Sequence, residues 1–127
     1  MTQVSTRISK LNVVCIPVDD QERALAFYVD TLGFEKRLDG PLTETTRWIE
    51  VAPSGATTSI ALTAGAPGGA GSDTGIRFTV PDAEAEHAAM QERGVVVGEI
   101  LRWDGVPPMY TLDDPDGNRF YIVEEMS

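Results

Sequence analysis

Residues 13–28 read VVCIPVDDQERALAFY and residues 74–90 read TGIRFTVPDAEAEHAAM, and side by side they are one pattern used twice. Val18 matches Val80 and Asp20 matches Asp82, each at a separation of 62 (80 − 18 and 82 − 20). Each copy alternates apolar and other residues as a strand does, then opens a helix with an acidic cap, Asp19 or Asp20 in the first and Asp82 in the second. Gly33 and Gly94 predict where the two helices stop. The repeat continues downstream: Trp48, Pro53 and Gly55 of WIEVAPSG match Tyr110, Pro115 and Gly117 of YTLDDPDG, again 62 apart (110 − 48, 115 − 53, 117 − 55). The second of these turns runs straight into a strand, DDPDGNRFYIVEE at 113–125. There Pro115 sets its own φ, and Asp116, Gly117 and Asn118 tolerate left-handed backbone. Each half therefore predicts a strand, a helix and three further strands. Two βαβββ modules follow, at about 11–63 and about 74–125, joined by a Gly-rich linker at 64–73 within a single domain spanning 1–127. The linker has no Lys-Ser/Thr after its glycines, so it is not read as a phosphate loop.

A chain of 127 residues suits one domain with a real core. With 20 acidic and 10 basic residues the formal charge is −10, and the basic residues are scattered, which argues against nucleic acid as a partner. No apolar run approaches the roughly 18 residues of a membrane helix, so no membrane partner is expected. MTQVSTRISK at the N-terminus lacks the apolar core of a signal peptide, and Cys15, the only cysteine, has no intrachain disulfide partner; a cytoplasmic location is expected. His87 is the single histidine and no G-x-S-x-G segment is present, so the residues for a Ser/His/Asp hydrolase do not assemble.

LNVVCIPVDDQERALAFYVDTLGFE at 11–35, followed far downstream by DPDGNRFYIVE at 114–124, resembles the vicinal oxygen chelate superfamily. That superfamily includes glyoxalases, extradiol dioxygenases, fosfomycin-resistance enzymes and bleomycin-binding proteins. The likeness spans residues 11–125. It implies an α+β fold in which two βαβββ modules form a curved, partly open barrel around a ligand cavity, often completed by dimerisation, hence an expected homodimer. Metal-dependent relatives carry His and Glu ligands at four positions, which fall here on Val13, Ala61, Gly75 and Tyr121. The first three have no donor and one phenol is a poor site, so neither a metal nor another cofactor is expected. A site assembled from carboxylates such as Glu50 and Asp104 is the alternative, and His87 is expected on the solvent side of its helix.

Alternation separates two faces. Val14, Ile16, Val18, Ile60, Leu62, Ile76, Phe78, Val80, Phe120 and Ile122 form the apolar set expected to meet the helices. The opposite set is expected on the concave face: Val13, Cys15, Ser59, Ala61, Thr63, Gly75, Arg77, Thr79, Arg119, Tyr121 and, counting from the paired aromatics, Trp48, Glu50, Tyr110 and Leu112. Arg77 interrupts an apolar strand and, unless it is simply exposed, needs an anion, which is either Glu50 or a ligand carboxylate, phosphate or enolate. Glu50 is either that structural partner or a general base. Trp48, Tyr110 and Tyr121 offer flat surfaces for an aromatic ligand, with core packing as the competing role. Trp103 is a candidate for closing the mouth, and WDGVPPM at 103–109 is read as a loop, either a connection or a lid. Cys15 is a small apolar lining residue rather than a nucleophile. The expected function is metal-free binding of an aromatic or anionic organic molecule; the alternative is a lyase, isomerase or dioxygenase with an atypical or absent metal site.

Overall fold

The computed structural model describes residues 5–65 and 69–126, so residues 1–4 of the N-terminal stretch and 66–68 of the expected linker lie outside the described residues. The first half runs β1 (Val13–Val18), α1 (Gln21–Ala26) with a π-helical turn over Phe27–Thr31, β2 (Glu35–Pro41), β3 (Arg47–Ala52) and β4 (Ser59–Ala64). The second runs β5 (Asp73–Val80), α2 (Ala83–Glu92), β6 (Val96–Val97), β7 (Leu101–Trp103), β8 (Val106–Asp113) and β9 (Arg119–Glu124). Two open sheets result, ordered β1-β4-β3-β2 and β5-β9-β8-β6, with β7 added on β8. In both, the first strand pairs parallel with the last, because the intervening helix returns the chain to the same end. β1 and β5 are thereby left as sheet edges.

The helix ends follow their sequence signals. The Asp20 carboxylate accepts from Arg23 N and the Asp82 carboxylate from Ala85 N, both at 3.1 Å. Glu124 on β9 reaches the amide of Ala83 at 3.1 Å, satisfying a further free N–H of α2. Gly33 and Gly94 adopt φ of +80° and +79°, the left-handed stops expected of them. The π-helical turn, closed by Leu32 N to Phe27 O at 2.9 Å, has no counterpart in α2 and no simple sequence signal.

WDGVPPM is not a loop. Trp103 and Val106 pair across Asp104-Gly105, with Gly105 at φ +78°, so the segment is a β-hairpin whose Pro107 and Pro108 fall where the β7–β8 register shifts. The Asp-Gly between strand residues is the signal that the proline-based reading missed.

The helix-facing sides of both sheets share one core. Tyr28 packs edge-on against Phe120 at 6.1 Å between ring centres, Phe34 against Phe78 at 5.4 Å, and Phe78 stacks on Phe120 at 5.3 Å. Above this cluster the DDPDGN turn clamps the halves. Asp114 accepts from the buried Tyr28 hydroxyl at 2.7 Å, Asn118 Nδ2 donates to Pro17 O at 2.9 Å, and Asp116 pairs with Arg23 at 2.5 Å. Because the halves meet through their helix-facing sides, their concave faces look outward, away from the core. Cys15 on one and Arg77, Thr79 and Arg119 on the other are exposed.

Candidate functional site

On the first sheet the register aligns Cys15 with Ala61, Ala61 with Glu50, and Glu50 with Leu38 across all four strands. Paired residues share a face, so this row crosses the outward side, and Trp48 joins it two residues from Glu50. The Trp48 indole N–H donates to Glu50 Oε2 at 2.7 Å, which holds the ring against the sheet and leaves both side chains half-buried. Ala61 is fully buried beneath its neighbours, making a floor, while Cys15 is exposed. The result is an apolar strip with one carboxylate and one aromatic face.

On the second sheet the matching row is Arg77, Tyr121 and Thr111. The Arg77 guanidinium lies 4.4 Å from the centre of the Tyr121 ring, and its Nη1 donates to Gly75 O at 2.8 Å. The Tyr121 hydroxyl donates to Asp73 Oδ2 at 2.5 Å, and Asp73 Oδ1 accepts from Gly75 N at 2.9 Å. This bonding has two electrostatic consequences. The Asp73 carboxyl is held below its ordinary pKa by the Tyr121 hydroxyl first and the Gly75 amide second, and the Tyr121 phenol is pushed up by donating to Asp73. Asp73 was not singled out in the sequence because it sits at the end of the Gly-rich stretch, before the alternation starts.

Arg77 also differs from the other strand arginines. Arg37, Arg47, Arg102 and Arg119 each pair with a carboxylate, whereas among the described residues Arg77 has none within ion-pair distance, despite a twofold excess of acidic over basic residues. The Arg77–Glu50 ion pair that the sequence left open is absent from the chain: the two residues lie on different outward faces, and Glu50 is engaged by Trp48.

Tyr110 and Leu112 require correction. They pair with Ile122 and Phe120, on the helix-facing side, and Tyr110 is fully buried with its hydroxyl directed at Met90 Sδ, 3.3 Å away. The physical reason is a one-residue slip between the repeats. Equivalent positions are Cys15 and Arg77 on the first strands, a separation of 62 (77 − 15), but Glu50 and Thr111 on the third, 61 (111 − 50), and Ala61 and Tyr121 on the last, 60 (121 − 61). A separation of 62 carried along the chain therefore puts Tyr110 on the wrong side, since one residue of slip exchanges the faces of a strand. His87 is corrected as well: it is half-buried, its Nε2 lies 2.8 Å from Gly98 O, and its ring meets Tyr110 edge-on at 4.8 Å. Trp103 sits on the β7–β8 hairpin, 57% exposed.

The positions at which the resemblance places metal ligands do not fit a divalent ion. Val13, Ala61 and Gly75 offer no side-chain donor, and the Tyr121 hydroxyl is committed to Asp73. Among the described residues no three His, Cys, Asp or Glu side chains converge, and Glu50 and Asp104 stand in different sheets, Asp104 at an exposed hairpin tip. Among the described residues no helix is long and apolar enough to cross a membrane.

The family model described as Glyoxalase/Bleomycin resistance protein/Dioxygenase superfamily matches residues 10–122. The chain is 36% identical to TnmS3, an antibiotic binding protein from Streptomyces sp. CB03234, whose crystal structure superposes with a TM-score of 0.86 over 96% of this chain and 100% of that one. A superfamily member from Sphaerobacter thermophilus DSM 20745 superposes equally well, at 0.86, with 37% identity over 94% of this chain and all of that one. The uncharacterized protein YetH of Bacillus subtilis (strain 168) is 30% identical over 122 residues, 92% of this chain and 99% of its own length.

Proposed function

This chain belongs to the glyoxalase/bleomycin resistance protein/dioxygenase superfamily, and from that premise we propose that it is a metal-free binder of an aromatic, anionic small molecule. The observation that carries the reading is Arg77. It is the strand arginine without a carboxylate partner among the described residues, it lies over the Tyr121 ring, and Tyr121 is in turn fixed by Asp73. A guanidinium held over a ring, with one N–H on Gly75 O, keeps most of its N–H donors available, which suits a carboxylate or enolate. The likeness to an antibiotic binding protein supports small-molecule binding as the role.

In one chain the Arg77–Tyr121 face and the Trp48–Glu50 face point apart, so each is half a cavity. A second copy related by a twofold axis would set one half against the other, covering the open β1 and β5 edges and the exposed Leu38. The ligand's anionic end would then lie on Arg77 and its ring against Trp48, with Cys15 and Ala61 forming the apolar floor. Tyr121 acts here as the platform for Arg77.

The test is calorimetric titration of a panel of planar aromatic carboxylates, led by 2-naphthoate, each beside its neutral amide. The acid should bind more tightly than the amide, and Arg77→Met should weaken the acid at least about thirtyfold while leaving the melting temperature within about a degree. Equal affinities for acid and amide, or a stable Arg77→Met variant that binds as the parent does, would overturn the reading.

A further inference from the structure

Ala83, Glu86 and Met90 recur along α2 at the spacing of one helix face, and Ala83 and Met90 are buried, so Glu86 stands on the side of the helix that meets the core. Its counterpart in the first half is Ala24. Each lies four residues beyond its cap (86 − 82 and 24 − 20), and each donates its amide to the cap carbonyl, at 3.1 and 2.9 Å. Ala24 is fully buried, so where the first module packs a methyl group the second places a carboxylate. Glu86 is half-buried, and among the described residues its carboxylate has no ion pair and no hydrogen bond. The neighbouring Glu84 is exposed and lies 3.5 Å from Arg102. Beside Glu86 is a cavity of about 210 Å³, walled by Met90 of α2, Phe78 and Ile122 of the second sheet, and Leu32 and Phe34 of the first half. Glu86 is the one charged residue of its described lining.

We propose that this cavity is a second binding site, for a compact apolar ammonium: a primary amine on a short hydrocarbon chain, with its cation on Glu86. Charge selects the head. A carboxylate drawn partly out of water without a partner gains most from a cation that brings N–H donors, and it repels any anion. The apolar wall selects the body, since the other polar lining residue, Thr79, shares the parity of Arg77 on β5 and belongs to the outward side. Size keeps the body short, because the cavity is smaller than the roughly 300 to 1,000 Å³ of drug-sized sites. The Glu86 charge is also felt by the buried Tyr110 phenol, as a carboxylate turned toward the core requires. Arg77 and Tyr121 take no part, because Phe78 and Ile122 pair on the opposite side of the same two strands.

The probes are hexylammonium, 1-hexanol and hexanoate, titrated into the full chain at fixed ionic strength by calorimetry and methyl NMR. The methyl signals of Leu32, Met90 and Ile122 should shift saturably with hexylammonium. It should bind at least about tenfold more tightly than the neutral alcohol, with hexanoate weakest. Glu86→Gln should erase that preference and leave amine and alcohol about equal. The fold should be retained, because the Glu86 side chain makes no hydrogen bond that the substitution would break. Glu86→Lys should reverse the order, making hexanoate the tightest of the three. Glu84→Gln removes the same unit of charge from an exposed position on the same helix and should leave hexylammonium affinity within about twofold. No saturable hexylammonium binding to the parent chain, unshifted methyls at the three residues, or equal affinities for amine and alcohol would each overturn the proposal. Equal losses in Glu84→Gln and Glu86→Gln would also overturn it, by assigning the binding to the general negative field of the chain.

Discussion

Tyr110 and Tyr121 have one aromatic chemistry and opposite fates, set by which side of β8 and β9 they occupy. Tyr110 is sealed in the core with its phenol pushed up to about 12, chiefly by burial and secondarily by Glu86. A phenol raised in the folded state supports the fold fully below the unfolded value near 10, and that support is lost as pH rises through about 12. Alkaline denaturation followed by absorbance and circular dichroism should show the Tyr110 phenolate signal arising only with unfolding, and Tyr110→Phe should extend the stable range upward. Tyr110→Ala should cost about 3 to 5 kcal/mol in denaturant titration, the cost of emptying a buried aromatic site. Tyr121→Leu, on the outward face, should leave the melting temperature almost unchanged while weakening 2-naphthoate, because it removes the platform beneath Arg77. Alternation identified Arg77 and Tyr121 as outward, since each lies between apolar neighbours on one strand. Tyr110 was misplaced because the identity of paired aromatics outweighed a single residue of slip.

The DDPDGN turn shows an element whose shape is local and whose purpose is not. Pro115, Gly117 and Asn118 announce a turn, and Gly117 adopts φ +82°. Nothing nearby in sequence says that Asn118 will donate to Pro17 O and accept from Gly71 N, or that Asp114 will take the hydroxyl of Tyr28, a residue 86 positions earlier. Removing those bonds strands buried groups, so Asn118→Ala should lower stability by about 1 to 3 kcal/mol in chemical denaturation. Gly117→Ala should cost about 1 to 2 kcal/mol through the left-handed backbone alone, because the added methyl would meet only Gly71 Cα at 3.5 Å. A loss confined to the second half, seen as selective hydrogen exchange in β8 and β9 with α1 still protected, would contradict the clamp. The β7–β8 hairpin is the complementary case, a regular element misread as irregular because two prolines drew attention from Asp104-Gly105.

Two open sheets held back to back leave the edges of β1 and β5 unpaired and Leu38, Leu101, Trp103 and Val106 exposed, 40 to 57% each. Such surface favours self-association, and with −10 on every chain the association should strengthen with salt as repulsion is screened. Light scattering at micromolar concentration should give about twice the 13.7 kDa chain mass; a 13.7 kDa species alone would remove the composite cavity proposed above. The repeat, the helix caps and stops, the apolar sets of most strands and the family were all determined by sequence alone, because each is written in neighbours a few residues apart or in a motif. Three features needed the folded chain: the side taken by Tyr110, the hairpin register around Pro107, and the direction in which the concave faces look. These depend on which backbone groups pair across a sheet and which core two modules share, and contacts between residues tens of positions apart leave no periodic trace along the chain.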